Sequence, residues 1–223
     1  MRSRRDRKEE PQEMDESSLR RRILGAAFTA FTELGYSRTS TLEIATRARV
    51  SKRELYALVG NKVSMLIECI RDRSERFPLP AELPEATDRE MLTAVLTSFA
   101  ERFLREVTDP KVIETFRLAI AEAPTAPEVA RALEEFGRER GRSVVRDAFS
   151  KARANRLVSG DPEEMMRRFL ALLWIDLLLN MLLGTVGRPS EGEIARRSAE
   201  ASRAVLMLYP APKRSQEEIP TAK

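Results

Sequence analysis

Residues 38–62 read RTSTLEIATRARVSKRELYALVGNK. Two capping boxes lie in this stretch, Ser40-Thr41-Leu42-Glu43 and Ser51-Lys52-Arg53-Glu54. Each sets a hydroxyl three residues ahead of a carboxylate that can return a hydrogen bond, so each predicts a fresh helix start. The first helix, with Leu42, Ala45 and Ala48 facing inward, lasts about two turns before Arg49-Val50. The second, with Leu55 and Leu58 inward, stops at Gly60. Two short helices joined by a tight turn are the skeleton of a helix-turn-helix.

The flanks extend the helical reading. Upstream, Leu19, Ile23, Ala26, Ala27, Ala30, Phe31 and Leu34 form one stripe at spacings of three and four, with Ser17 or Ser18 as the cap. Gly35 supplies the left-handed residue that ends this helix, and Tyr36 the contact beyond it. Downstream, Asn61 caps a third start whose apolar set Val63, Leu66, Ile67 and Ile70 runs toward Phe77. The three prolines in PLPAELPEATD, residues 78–88, read as a linker, and further helices are expected near 89–107, 111–122, 127–153, 162–186 and 191–208. The predicted fold is therefore all-α, a three-helix head with a helix-turn-helix and a larger C-terminal helical domain. The expected divisions are a disordered arm over 1–17, a helix-turn-helix head with its connecting helix over 18–77, a larger helical domain over 78–209 and a flexible tail over 210–223.

Composition narrows the function. The 223 residues include no histidine and a lone cysteine, Cys69, which removes the commonest general base and metal ligand and any intrachain disulfide. No catalytic constellation or cofactor motif stands out, so the chain reads as a non-enzyme with no cofactor and no bound metal. With no apolar segment behind the basic N-terminus, a reducing cytoplasm is the expected compartment. Charge is uneven. Residues 1–62 hold 14 Lys/Arg against 9 Asp/Glu, a balance of +5, whereas residues 63–223 hold 25 against 26, a balance of −1. The cationic excess sits in the helix-turn-helix quarter, as a nucleic-acid-binding module on a neutral body requires. Arg2, Arg4, Arg5, Arg7 and Lys8 in the arm could reach a minor groove; a solvated tail is the plainer reading.

At ILGAAFTAFTELGYSRTSTLEIATRARVSKRELYALVGNKVSML, residues 23–66, the chain resembles the DNA-binding domain of TetR-family transcriptional repressors. The resemblance rests on Ala26-Ala27 with Phe31, Gly35-Tyr36, Thr39-Ser40, Ile44-Ala45, Val50-Ser51, Leu55-Tyr56 and Lys62. Two positions depart from the pattern. Arg49 stands where the family has a glycine in the turn, and Val59 where it usually has an aromatic, which predicts looser packing beneath the second helix. FRLAIAEAPTAPEVARAL (116–133) and FLALLWIDLLLNMLLG (169–184) resemble the regulatory domain of the AefR-like branch.

The resemblance implies a homodimer on a double-stranded, palindromic DNA operator, paired through the last two long helices, and a small apolar or amphipathic ligand in the body. Lys52 and Arg53, in the first turn of the recognition helix, are the expected base readers. Thr39, Ser40, Thr41, Ser51, Tyr56 and Lys62 complete the expected DNA contacts, chiefly as phosphate grips, the alternative for Ser40 being a cap alone. Residues 169–186 are apolar enough to suggest a membrane span, but Asp176 and Asn180 one turn apart argue for a bundle or dimer seam and no membrane. Phe99, Phe103, Phe116 and Trp174 are either plain core or the walls of a ligand cavity. The alternative function is a helical DNA-binding or adaptor protein with no inducer.

Overall fold

The computed structural model describes residues 6–76, 79–174 and 176–212. Among them there are helices and no strands: α1 (Asp6–Leu34), α2 (Thr41–Ala48), α3 (Lys52–Val59), α4 (Lys62–Glu75), α5 (Arg89–Val107), α6 (Pro110–Glu122), α7 (Pro127–Ala132), a π-helical segment (Leu133–Arg138), α8 (Glu139–Ala154), α9 (Pro162–Trp174), α10 (Leu177–Leu183) and α11 (Glu191–Leu208). The expected spans 89–107 and 191–208 coincide with α5 and α11. The expected 127–153 is divided by the π-helical segment, and 162–186 by a turn at Asp176.

Helix α1 starts upstream of the expected serine cap. Residues 6–17 are helical where an irregular arm was expected, since Lys8, Glu9, Glu10, Gln12, Glu13 and Met14 are all strong helix formers. Arg2, Arg4 and Arg5 lie outside the described residues, as does the tail beyond residue 212.

Two compact units organise the chain. The first comprises residues up to 78 together with 110–140; the second comprises 79–109 and everything from 141 onward. Helices α6 and α7, within the expected 78–209 division, lie in the first unit. Their Leu118, Ala119 and Val129, with Ala126 between the helices, join the core built by Ile23, Ala27 and Phe31 of α1, Ile44 and Ala48 of α2, Leu55 of α3 and Leu66 and Ile70 of α4. Burial of each large apolar side chain contributes about 1.5–3 kcal/mol, which is why α6 and α7 count as part of this core. Cys69 is buried in it, and burial pushes its thiol up to about 12, so it stays protonated and unreactive. Phe116 also lies on α6 and hence in the first unit.

In the second unit α5 packs along α11, where Ser198, Ala201 and Ser202 are buried and small enough for close approach. Phe99 stacks on Phe103 at 5.6 Å, Phe103 meets Trp174 edge-on at 5.7 Å, and Phe149 of α8 meets Phe169 of α9 at 6.2 Å. The proline-rich stretch 79–88 lies against α8. Leu79 and Ala86 are buried, Glu82 pairs with Lys151 at 2.9 Å, and the Asn155 amide donates to Glu85 at 2.8 Å. Arg89, at the start of α5, donates to the carbonyl of Leu157 beyond α8 and to those of Leu206 and Tyr209, satisfying acceptors at the end of α11. Asp176 is exposed and accepts from the Asn180 side-chain amide one turn on, at 3.2 Å. No described helix is long and apolar enough to cross a membrane.

Candidate nucleic-acid interface

Both predicted capping boxes open helices, with different completeness. Ser40 adopts an extended conformation and its hydroxyl accepts from the Glu43 amide at 3.1 Å, while the Glu43 carboxylate turns to Arg47 at 2.7 Å. Ser51 makes the full box. Its hydroxyl accepts from the Glu54 amide at 3.1 Å, and its own amide donates to Glu54 Oε2 at 2.8 Å. Hydrogen bonds from Ser51, the side chain first and the amide second, hold the Glu54 carboxyl below its ordinary value. Between the helices Arg49 takes a left-handed conformation (φ +52°, ψ +50°) and the Val50 amide reaches back to the Ala45 carbonyl at 3.0 Å. This is the Schellman geometry that a glycine at this position would give.

Side chains from α1 fix the motif from behind. Arg22 Nε donates to the Ala48 carbonyl at 2.9 Å, at the end of α2. Arg20 donates to the Leu58 carbonyl at 3.1 Å, near the end of α3, and pairs with Glu68 of α4. Leu55 and Val59 are buried, so a valine in place of an aromatic still closes this face of α3. Helix α3 is thus held near its C-terminal end and along its buried face, which leaves the opposite face outward.

That face carries Lys52, Arg53 and Tyr56, all exposed; Tyr56 is 48% accessible. The Tyr56 hydroxyl lies 3.2 Å from the Thr41 hydroxyl, joining the start of α2 to the middle of α3 on their outer surfaces. Leu42 was expected inside. It is 58% exposed, because the buried stripe of α2 is Ile44, Ala45 and Ala48, and the hydroxyl-capped first turn holds Leu42 on the other side. Sequence periodicity over two turns is too short to separate these alternatives.

Thr39 departs from the expectation of a phosphate grip. It is 2% exposed, its hydroxyl donates to the carbonyls of Ala30 at 3.0 Å and Gly35 at 2.8 Å, and so it builds the α1–α2 turn. A threonine two residues before a helix can serve either purpose, and only burial distinguishes them. Lys62 opens α4 as expected, with Nζ 4.2 Å from the Tyr36 ring centroid and 3.5 Å from the Ser37 carbonyl. Desolvation pushes its ammonium below the usual lysine range, with Glu122 opposing the shift. Burial, with Glu122 and Glu128 nearby, raises the Tyr36 phenol.

Residues 23–69 match the model described as bacterial regulatory proteins, tetR family, and residues 94–211, just over half of the chain, match the AefR-like transcriptional repressor, C-terminal domain. The chain belongs to the TetR family. It has the fold and domains of the family's DNA-binding transcriptional regulators.

Among solved structures, the flavonoid-responsive regulator FrrA is 27% identical with a TM-score of 0.76 over 89% of this chain and 100% of its own. A TetR transcriptional regulator from Agrobacterium tumefaciens is 26% identical with a TM-score of 0.71, over 87% and 96%. A TetR family transcriptional regulator from Pseudomonas syringae pv. tomato str. DC3000, at 24% identity and a TM-score of 0.67 over 86% and 97%, shares the fold. No curated protein matches the chain.

Proposed function

We propose that this TetR-family regulator is a ligand-responsive repressor that binds a near-palindromic operator as a homodimer in the cytoplasm. The observation that carries the reading is the outward face of α3. Lys52 and Arg53 project from its first turn with no protein partner among the described residues, while the opposite face is locked to α1 and α4. An arginine in that position can take guanine O6 and N7 together, and a lysine the same acceptors singly. Ser40, Thr41, Ser51, Tyr56 and Lys62 are assigned to the DNA backbone, with the two serines contributing while they cap their helices. Thr39 is left out.

Dimerisation is assigned to α10 and α11 of the second unit, where Leu179 and Leu183 are 60% and 67% exposed and Met207 and Leu208 are also uncovered. Leucines one turn apart on the outside of a helix suit a helical seam with a second copy. The ligand is assigned to the second unit as well. The FrrA name describes a flavonoid-responsive protein, and the Phe99, Phe103 and Trp174 cluster offers the kind of aromatic wall that such planar apolar molecules contact. Release of DNA would follow from a population shift, with the ligand favouring body conformations whose two heads miss the half-site spacing.

Selection of bound sequences from random duplexes, followed by titration of the winning site and of a scrambled one, tests the DNA assignment. A recurring inverted repeat supports it, and equal affinity for all sequences supports a non-specific helical binder instead. Calorimetry with hits from a hydrophobic-compound screen, with and without the selected duplex, tests the ligand assignment. Linkage requires that each weaken the other by the same factor. Independence of the two would leave the ligand-free alternative.

A further inference from the structure

Within the helix-turn-helix, Arg49 is the non-glycine residue with a left-handed backbone, at φ +52°. A Cβ is penalised in that conformation and glycine occupies it freely, so an arginine here is tolerated against a local cost. Its side chain is exposed.

The pairing of neighbouring cations gives this position its meaning. Arg20 pairs with Glu68, Arg21 bonds the Ser17 carbonyl, Arg22 the Ala48 carbonyl and Arg38 the Leu34 carbonyl. Arg47 takes both Glu33 and Glu43, and Lys62 lies over Tyr36. Arg71 pairs with Glu68, Arg73 lies over Phe28, and Arg76 pairs with Asp72. Among the described residues from 20 to 76, the cations whose side chains have no such partner are Arg49, Lys52 and Arg53. They fall within five consecutive residues that span the turn and the first turn of α3. The acids nearby are engaged elsewhere, Glu54 by Ser51 and Glu43 by Arg47.

We propose that Arg49 is a further DNA-contacting residue, its guanidinium gripping a backbone phosphate beside the bases met by Lys52 and Arg53. The assignment rests on the reading of α3 as the recognition helix. Residues inside the first turn of such a helix enter the groove, whereas a residue on the turn ahead of its cap stands at the groove's rim, where the phosphates run. A guanidinium fork matches two phosphate oxygens, which gives the exposed, unpaired side chain an acceptor that the protein does not supply. The strained turn is then kept for what its side chain does, since the turn itself would form more readily with glycine.

The decisive variant is Arg49→Gly, because it relaxes the backbone while removing the grip. It should melt no lower than wild type. It should bind a labelled random-sequence duplex and the selected duplex more weakly by the same factor, and the salt dependence of binding should fall by about one phosphate contact. Arg49→Lys, which keeps charge and strain, should retain the wild-type salt slope. An Arg49→Gly protein with unchanged affinity and slope overturns the inference, as does one that loses affinity and melting temperature together at unchanged slope. Wild-type protein that binds neither duplex would remove the recognition-helix reading itself; wild-type binding matched by Arg49→Gly removes the Arg49 contact alone.

Discussion

The Thr39 hydroxyl donates to the Ala30 carbonyl at 3.0 Å from a site that is almost fully buried, tying the turn after α1 back onto the helix that precedes it. Replacement by the isosteric valine would leave the Ala30 and Gly35 acceptors without that donor. Thr39→Val should cost about 1–3 kcal/mol of stability, measured by denaturant unfolding. Its DNA affinity at a temperature where it remains folded should show the wild-type salt slope. A slope lowered by one contact would return Thr39 to the phosphate grips.

Specificity should reside in the first turn of α3. Lys52→Ala and Arg53→Ala should weaken binding to the selected duplex more than to scrambled DNA, with at least one losing about 1–3 kcal/mol of base discrimination. Tyr56→Phe and Thr41→Val should instead weaken both duplexes alike. Equal losses on both DNAs for Lys52→Ala and Arg53→Ala would remove the base-reading role.

The capping box gives a pH signature. The folded-state pKa of Glu54 is depressed below its ordinary value of 4.5, so the stability it confers is present above that value and is lost as pH falls through the lower folded-state value. Glu54→Gln should therefore melt below wild type at pH 7, and the gap should close in acid once the wild-type carboxyl is protonated. Melting curves of the two proteins across this range are the measurement. A gap that persists at the acid end would mean that the carboxylate charge is not the cause.

Dimer probes belong at the exposed positions of α10. Leu179→Asp and Leu183→Asp should convert a dimer to monomers in sedimentation while leaving helical circular dichroism in place. Leu178 and Leu182, one residue earlier in each case, are half-buried, so a charge there would also test the interior of the second unit. Wild-type protein that sediments as a monomer would defeat the assignment.

Much of the head was legible because its punctuation is chemical. Ser40, Ser51 and Asn61 each cap a helix where their hydrogen-bonding chemistry placed them, and Arg49 adopts the left-handed conformation that the turn requires of any residue. Leu42 was misread because eight residues of helix give a weak periodicity. The inward turn of Thr39 leaves no trace in side-chain pattern, because its hydroxyl's partners, Ala30 and Gly35, are backbone carbonyls. The turn at Asp176 falls within an otherwise apolar run that carries no glycine or proline as a stop signal. The membership of α6 and α7 in the first unit depends on long-range packing of Leu118 and Val129, and local pattern says nothing of which core an apolar stripe will join.

That discontinuous core has a consequence for biosynthesis. The ribosome releases α1 to α4 first, and the chain then passes through α5 before α6 and α7 emerge to supply Leu118, Ala119, Ala126 and Val129. Until residue 129 is free of the exit tunnel, part of the apolar surface of Ile23, Phe31, Leu66 and their neighbours lacks its native cover. The core of the first unit is complete only after α5, the first helix of the second unit, has been made, so translation order itself delays its closure.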